Sequence, residues 1–371
     1  MKDATKRKLD LIGELYPKGR QDKSRERLKS LWNGERARGG LPFTHAGFCV
    51  DYYDELNAPE ERLQISLDEI IMRGRLRDDY VPGIFPGCRQ ATLPSMFGAR
   101  EIVIGRDRAT EKIIRSAEDV DRLREPQIEG TIAGEWLEMQ EYFLNETEGK
   151  IGVHAVDMQG PVDVAGKLWG YDNLFASAYD DPASYHRLLE KTTGAFIMFW
   201  ERQKKLLGEA FVPTHLFGWS YAPGQIGATV SVDSVVMVSP AFFEEFYLPY
   251  LNRIAGAFGG LAIHSCGNFL QHMDGLNRAD CVRGVNAGQL GAREMYEAGL
   301  GKDKVAIACC DLNGAAGEFE YFKSNGINAD LTVWGIWPKH NGKAVPIGEM
   351  SGAFWMDLRE KEEALLIASG A

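Results

Sequence analysis

The chain has 371 residues, of which 44% are hydrophobic and 26% are charged, and its formal net charge is −11. This is the composition of a soluble globular protein, and no apolar run approaches the roughly 18 residues that a membrane-spanning helix needs. The acidic balance disfavours nucleic acid as a partner, since phosphate binding requires a basic surface. The charged first eight residues are unlike a secretory signal, and six cysteines in so long a chain are more typical of thiols than of disulfides. We therefore expect a cytoplasmic enzyme.

The first 40 residues predict helices. Within residues 25–35, Leu28 and Trp32 lie four positions apart and form an apolar stripe on an otherwise charged segment. We interpret residues 1–40 as a helical N-terminal extension and residues 41–371 as a single domain.

Short apolar runs alternate with helical stretches through the rest of the chain. The predicted strands begin near Phe43 and continue at residues 101–104, 151–156, 213–219, 261–265, 281–286, 305–310 and 329–334. Helices between most of them, such as residues 184–207 and 241–257, indicate parallel βαβ units. Eight such strands can close a (β/α)8 TIM barrel, which is the predicted α/β fold. An open doubly wound sheet is the alternative, but no G-x-G-x-x-G follows a first strand, so its dinucleotide-binding form has no support.

The run Leu261-Ala262-Ile263-His264-Ser265-Cys266-Gly267-Asn268 is the most informative part of the chain. Side chains two residues apart in a strand point to the same face, so His264 and Cys266 face the same way where the strand opens into a loop. An imidazole and a thiol are two of the three or four ligands that a zinc site needs. A buried cysteine beside a core histidine would give the same pattern.

This run resembles the uroporphyrinogen decarboxylase superfamily, and other segments resemble it in the same order. They are Asp157-Met158-Gln159-Gly160-Pro161, then Asp180-Asp181-Pro182 with His186-Arg187-Leu188-Leu189, and then Val238-Ser239-Pro240 with Phe243-Glu244-Glu245-Phe246 and Pro249. The resemblance covers residues 150–312 well and the first third weakly. That superfamily contains the decarboxylase and zinc-dependent methyltransferases that act with corrinoid proteins. The resemblance implies a (β/α)8 barrel with its site at the C-terminal ends of the strands.

Polar and sulfur-containing side chains at predicted strand ends are the candidates for that site. The catalytic candidates are Asp157, Tyr221 and Asn286. The substrate-binding candidates are Gln159, Trp219, Asn268 and Gln289, and the metal candidates are His264, Cys266, Cys309 and Cys310. Asp311 and Trp334 also fall at strand ends, whereas His45 is interpreted as a core or loop histidine.

The sequence does not decide which residue would be the third metal ligand. The zinc methyltransferases that the chain resembles use a later cysteine on the last strand, but residues 333–338 contain no cysteine. Cys309 or Cys310, on the preceding strand, would replace it. Alternation allows only one of these adjacent residues to face the site, and the apolar residues before them on both faces do not decide which.

The resemblance implies a methyltransferase that moves a methyl group between a corrinoid protein and a thiol or folate acceptor. Zinc would activate a thiol, and with tetrahydrofolate as acceptor zinc could be absent, with Asp157 or Asn286 orienting the acceptor. The alternatives are a metal-free decarboxylase with Asp157 as proton donor and a non-catalytic barrel. Residues 41–50 contain no arginine, whereas the decarboxylase clamps its substrate's carboxylates there, so we expect no turnover of uroporphyrinogen. Relatives often form dimers, so a homodimer is also an expectation.

Overall fold

The structure is a computed structural model that describes residues 2–35, 40–46, 58–105, 107–214, 223–288, 290–334, 339–340, 343–344 and 350–370. The helices are α1 (Asp3–Leu15), α2 (Lys18–Trp32), α3 (Pro59–Arg73), α4 (Thr92–Met96), α5 (Ala117–Arg122), α6 (Ile132–Thr147), α7 (Pro161–Trp169), α8 (Tyr171–Asp180), α9 (Pro182–Leu207), α10 (Pro240–Phe242), α11 (Leu248–Phe258), α12 (Met273–Arg278), α13 (Ala292–Glu297), α14 (Leu312–Asn325) and α15 (Gly352–Ser369). Within the described ranges, no helix is both long enough and apolar enough to span a bilayer.

The strands form two parallel sheets and two small antiparallel pairs. They are β1 (Phe43–His45), β2 (Gly83–Ile84), β3 (Glu101–Ile104), β4 (Asp107–Thr110), β5 (Gly152–His154), β6 (Phe211–Val212), β7 (Ala228–Ser231), β8 (Leu261–Ser265), β9 (Val282–Ala287), β10 (Val305–Asp311), β11 (Ala329–Trp334), β12 (Lys339–His340) and β13 (Lys343–Ala344). The larger parallel sheet has the order β1-β11-β10-β9-β8-β7, and the smaller has the order β2-β5-β6. β3 pairs with β4 and β12 pairs with β13.

The two parallel sheets are linked at the C-terminal ends of their strands. The chain beyond β5 bridges to Cys88 at Asp157 and to Ser231 of β7 at Gln159. The Ser231 amide donates to the Met158 carbonyl at 3.0 Å, and the Gly160 amide donates to the Ser231 carbonyl at 2.7 Å. This segment therefore acts as the strand beside β7. The expected α/β class with parallel strands is confirmed, whereas closure into an eight-stranded barrel stays a prediction.

The larger sheet has two differently covered faces. On one face Trp32 of α2 packs with a small apolar group that includes Val305 and Ile307. Gly284 of β9 lies on the same face, because a Cβ there would come within 2.5 Å of the Trp32 ring. We call this side the Trp32 face. The other face is covered by the connecting helices, for example at Phe43, whose ring packs edge-on against Phe319 of α14.

Several predicted strands are reassigned by the structure. Residues 101–104 form a strand, but this strand pairs antiparallel with β4 and is not one of the parallel strands. Gly105, directly after it, has a positive φ of 65°. β2 and β7 were not predicted, because two-residue and four-residue strands carry little periodicity. Of the predicted strand at residues 213–219, residues 215–219 lie outside the described residues, and β6 ends at Val212. The boundary at residue 40 stays a prediction.

Candidate metal centre

Three neighbouring parallel strands bring polar side chains into one row. In the register of the sheet, Ser231 of β7 lies beside His264 of β8, and His264 lies beside Asn286 of β9. Asn286 is two residues beyond Gly284 and so lies on the Trp32 face. Because the strands are parallel, the residues that follow this row, among them Asp233 and Cys266, meet at the same edge of the sheet.

Three of these side chains can hold a metal ion. One nitrogen of His264, the sulfur of Cys266 and one carboxylate oxygen of Asp233 all lie within 4.8 Å of one another. We call Asp233, His264 and Cys266 the ligand group. His264 is buried, Asp233 is half-buried and Cys266 is exposed, so the group opens toward solvent on its cysteine side. Nitrogen, sulfur and oxygen ligands of these types are all accepted by zinc.

The orientation of His264 is set by Asn286. The Asn286 Nδ2 group donates to the Ile307 carbonyl at 2.7 Å, which turns the Oδ1 atom toward His264 Nδ1 at 2.5 Å. Because an amide oxygen only accepts, Nδ1 must carry the ring proton. Nε2 then keeps its lone pair, and it lies 3.3 Å from Cys266 Sγ. The ring therefore presents its ligating nitrogen to the ligand group.

The carboxylate of Asp233 is held at both oxygens. The Cys266 backbone N–H donates to Oδ1 at 3.0 Å, and Gln159 Nε2 donates to Oδ2 at 3.3 Å. Each oxygen has a second lone pair, so these contacts leave the carboxylate able to bind a metal.

The local charge favours a cation. Desolvation of the sulfur, together with the charges of Asp233 and Asp157 and a hydrogen bond to Asp233, raises the pKa of Cys266 to about 12. Behind Asp233, burial and the Asp233 charge raise the pKa of Asp163 to about 7, although Asp163 accepts a hydrogen bond from the Ser234 backbone N–H at 2.8 Å. The charges of Asp233 and Asp157 contribute to the shift at Cys266, so negative charge lies beside this sulfur, and a divalent cation bound there would offset it.

Two of the candidates predicted from the sequence, Asp157 and Gln159, lie beside the ligand group. The Ser231 hydroxyl donates to Asp157 Oδ1 at 2.8 Å, and the charge of Asp157 acts on the Cys266 sulfur. Gln159 contacts Asp233, and its buried Oε1 atom has no hydrogen-bond partner among the residues that the structure describes. Both side chains are half-buried, so they can meet a bound molecule as well as the protein.

The prediction that Cys309 or Cys310 supplies the third ligand is not met. Among the residues that the structure describes, neither cysteine belongs to the ligand group. Cys309 shares the Trp32 face with Ile307, but β9 separates its strand from His264, and two strand spacings amount to roughly 10 Å. Cys309 instead interacts with Trp334, and Cys310 points to the other face and packs against the helix-covered core.

The remaining candidate side chains either make contacts elsewhere in the structure or lie outside the described residues. Asn268 is exposed and accepts the Leu270 backbone N–H at 3.1 Å, so it shapes its own turn. Asp311 caps α14 by accepting the Asn313 backbone N–H. His45 is buried 3.6 Å from Glu362 of α15, away from the ligand group. Trp219, Tyr221 and Gln289 lie outside the described residues.

Asp233 is the functional candidate that the sequence pattern missed. A short run of small and β-branched residues, Ala228-Thr229-Val230, is followed by Ser231, and Asp233 comes two residues after Ser231. That alternation at the end of a strand was the available signal. It was hidden because β7 has only four residues, too few to show a clear alternation.

Comparisons with known proteins bear on this arrangement. Residues 91–214 match the family model of uroporphyrinogen decarboxylase (URO-D). This stretch includes Asp157 and Gln159 but ends before the ligand group. No curated protein matches the chain in sequence.

Solved structures match the whole fold. A methyltransferase from Methanosarcina mazei superposes with a TM-score of 0.61 over 93% of this chain and 98% of its own, at 16% sequence identity. Together with the family match, this likeness confirms the predicted resemblance to the uroporphyrinogen decarboxylase superfamily. At this identity the structural likeness establishes the fold, and the chemistry must be argued from the site.

Proposed function

We propose that this chain, whose sequence and fold resemble the uroporphyrinogen decarboxylase superfamily, is a zinc-assisted methyltransferase. The observation that carries the proposal is the convergence of Asp233, His264 and Cys266 at the C-terminal ends of neighbouring parallel strands. The structural likeness to a methyltransferase supports the reaction class. The corrinoid protein as methyl donor is carried over from the resemblance.

The donor set fits zinc. Around a tetrahedral zinc with ordinary bond lengths, the nitrogen and sulfur ligands would lie roughly 3.6 Å apart. His264 Nε2 and Cys266 Sγ are 3.3 Å apart, so a small outward movement of the exposed cysteine would suffice. Three protein ligands would leave a fourth position for substrate, as in catalytic rather than structural zinc sites. Bound zinc would supply the Lewis acidity that lowers the pKa of a thiol acceptor.

The chain's own residues account for the proton and for orientation. Asp157, which accepts a hydrogen bond from the Ser231 hydroxyl, would take the proton of an acceptor thiol. The sulfur lone pair then forms the new bond to the methyl carbon as the cobalt–carbon bond of the methylcorrinoid breaks, and that bond's electron pair stays on cobalt. The buried Oε1 atom of Gln159 has no partner within the described part of the chain, so it could receive a hydrogen bond from a donor group on the methyl-accepting substrate.

The first test is metal binding. We expect the protein produced with zinc to retain the metal, and Cys266→Ser and Asp233→Asn to weaken zinc affinity by about 100-fold or more, since each removes a ligand. Cys309→Ser and Cys310→Ser are the matched controls and should bind zinc like the wild type. Titration against a chromophoric chelator measures all five proteins.

Methyl transfer is then measured with methylcobalamin as donor and 2-mercaptoethanol as acceptor, followed by the loss of methyl–cobalt absorbance. Activity should fall with zinc occupancy across the variants. A wild-type protein that binds no zinc, or a Cys309→Ser or Cys310→Ser variant that loses zinc as fully as Cys266→Ser, would refute the ligand group. Transfer to tetrahydrofolate without zinc would replace the thiol mechanism by the folate one.

A lyase is the second candidate, because the matching family model is that of a decarboxylase. Arg89 is the arginine nearest in sequence to the bridge between Cys88 and Asp157, but it is engaged by Glu101 in a two-pronged contact and by Glu135. It is therefore not available to clamp a substrate with many carboxylates. Release of carbon dioxide from a small carboxylated substrate by metal-free protein would favour this candidate.

A further inference from the structure

We propose that Asn286 is a positioning residue that fixes the proton of His264 and thereby makes its Nε2 atom a metal ligand; this rests on the proposed metal site. Asn286 does not belong to the ligand group, and the residue is buried with 6% exposure. It therefore acts through His264 rather than on the substrate.

The direction of the Asn286 amide is fixed by its neighbours. A carboxamide has one donor and one acceptor end, and nothing in its shape distinguishes them. Here the Ile307 carbonyl, 2.7 Å from Nδ2, can only accept, so it selects the donor end. The acceptor end must then face His264, at 2.5 Å from Nδ1. Backbone geometry in β10 thus dictates the tautomer of a side chain in β8.

The consequence concerns the other ring nitrogen. A neutral imidazole has one N–H and one lone pair, so placing the proton on Nδ1 leaves the lone pair on Nε2, which faces Cys266. Without the Asn286 acceptor, this contact would no longer favour the proton on Nδ1 over Nε2. Partners of this kind typically contribute about 10- to 100-fold to metal affinity.

Two substitutions separate this role from a purely structural one. Asn286→Leu removes both contacts. Asn286→Asp keeps an acceptor for His264 Nδ1 but turns a carboxylate oxygen toward the Ile307 carbonyl. If Asn286 only supports the strands, the Asn286→Asp variant should be no better than the Asn286→Leu variant in any property, because both lose the donor and the carboxylate adds repulsion.

If Asn286 positions His264, zinc affinity and resistance to urea should not rank the Asn286→Asp and Asn286→Leu variants in the same order. Zinc affinity should fall about 10- to 100-fold in Asn286→Leu and be substantially retained in Asn286→Asp. Resistance of the metal-free proteins to urea should be equal or lower in Asn286→Asp. With cobalt(II) in place of zinc, the visible absorption spectrum should stay close to wild type in Asn286→Asp and change in Asn286→Leu.

Asn277→Leu is the matched control. Asn277 also bridges two backbone groups, donating to the Gly299 carbonyl at 2.6 Å and accepting the Gly301 N–H at 2.7 Å, but neither hydrogen bond involves the ligand group. It should lose stability without losing zinc affinity. Asn286→Ala takes the place of Asn286→Leu if the larger side chain prevents folding.

The outcomes distinguish this inference from the proposed function. Wild-type protein that binds no zinc overturns both. Wild-type protein that binds zinc, with Cys266→Ser deficient and Asn286→Leu normal, overturns the positioning role alone. Equal zinc affinity in Asn286→Leu and Asn286→Asp, with both reduced, would assign Asn286 a structural role only.

Discussion

At the residue scale, Asp79 is a carboxylate that folding removes from water. It is 4% exposed and accepts the Phe43 backbone N–H at 3.1 Å, with Arg27 at 3.5 Å. Burial raises its pKa to about 6 from an ordinary 3.8, and Arg27 and the hydrogen bond only partly offset that rise. The folded state therefore holds this proton more tightly than the unfolded state does.

The sign of the pH effect follows from linkage. A pKa that is raised on folding stabilises the protein below the unfolded pKa, and that contribution is lost as the pH rises through the folded pKa. Between about pH 4 and pH 7, Asp79 should thus lower the free energy of unfolding by up to about 3 kcal/mol, the equivalent of roughly two pKa units. Asp79→Asn lacks this loss, so its stability relative to wild type should improve over the same range.

Urea unfolding at about pH 4 and pH 7 measures this difference, and any cost of the substitution that does not depend on pH cancels between the two conditions. The exposed Asp280 provides the control, since Asp280→Asn should show no comparable change with pH. A difference between Asp79→Asn and wild type that is the same at both pH values would contradict the expectation.

At the element scale, helix α2 contributes more than a charged surface. Its residue Trp32 is 7% exposed and packs against the larger parallel sheet where Gly284 leaves room for the ring. The predicted stripe of Leu28 and Trp32 is confirmed as part of the buried side of this helix. Residues that were assigned to an extension thus cover the same face of the sheet that bears His264.

We expect Trp32→Ala to cost about 3–5 kcal/mol of unfolding free energy, because it leaves a cavity against Val305 and Ile307 that the rigid strands cannot fill. Leu11→Ala in α1 is the comparison, since Leu11 is 40% exposed and its truncation should change stability by about 0.5 kcal/mol or less. Both are measured by denaturant unfolding. A cost for Trp32→Ala no larger than that for Leu11→Ala would mean that α2 does not stabilise the sheet.

At the scale of the whole molecule, the sheet connections indicate how the fold can close. Among the described residues, the two sheets contain nine parallel strands. Eight of them are candidates for a ring: β1, β2, β5, β7, β8, β9, β10 and β11. The bridges at Asp157 and Gln159 connect the strands β2, β5 and β7. The segment just before β2 is linked to β1, because the Asp79 backbone N–H donates to the Phe43 carbonyl at 2.9 Å. We predict that these eight strands form a closed barrel with β1 beside β2, and that β6 lies outside the ring.

A crystal structure tests this arrangement directly. The expected result is one continuous parallel ring with the ligand group at its C-terminal mouth. An open sheet with β1 at a free edge, or β6 inserted between β5 and β7, would contradict it.

The sequence alone predicts those features that depend on neighbouring residues in the chain. His264 and Cys266 share a face because alternation in a strand is a local property, and the strands β8, β10 and β11 are long enough to show it. The alternation of strands and helices likewise indicated parallel packing, and the order of short segments indicated the resemblance to the uroporphyrinogen decarboxylase superfamily. All of these rest on residues that are close in the chain.

Which distant residues join them depends on tertiary packing. Asp233 lies 31 positions before His264 and became a ligand candidate only because β7 lies beside β8, whereas Cys309 remained apart because β9 lies between. Asn286 acquired its role from the Ile307 carbonyl on a neighbouring strand. Strand order and register are set by packing over the whole sheet, so no local pattern in the chain carries them.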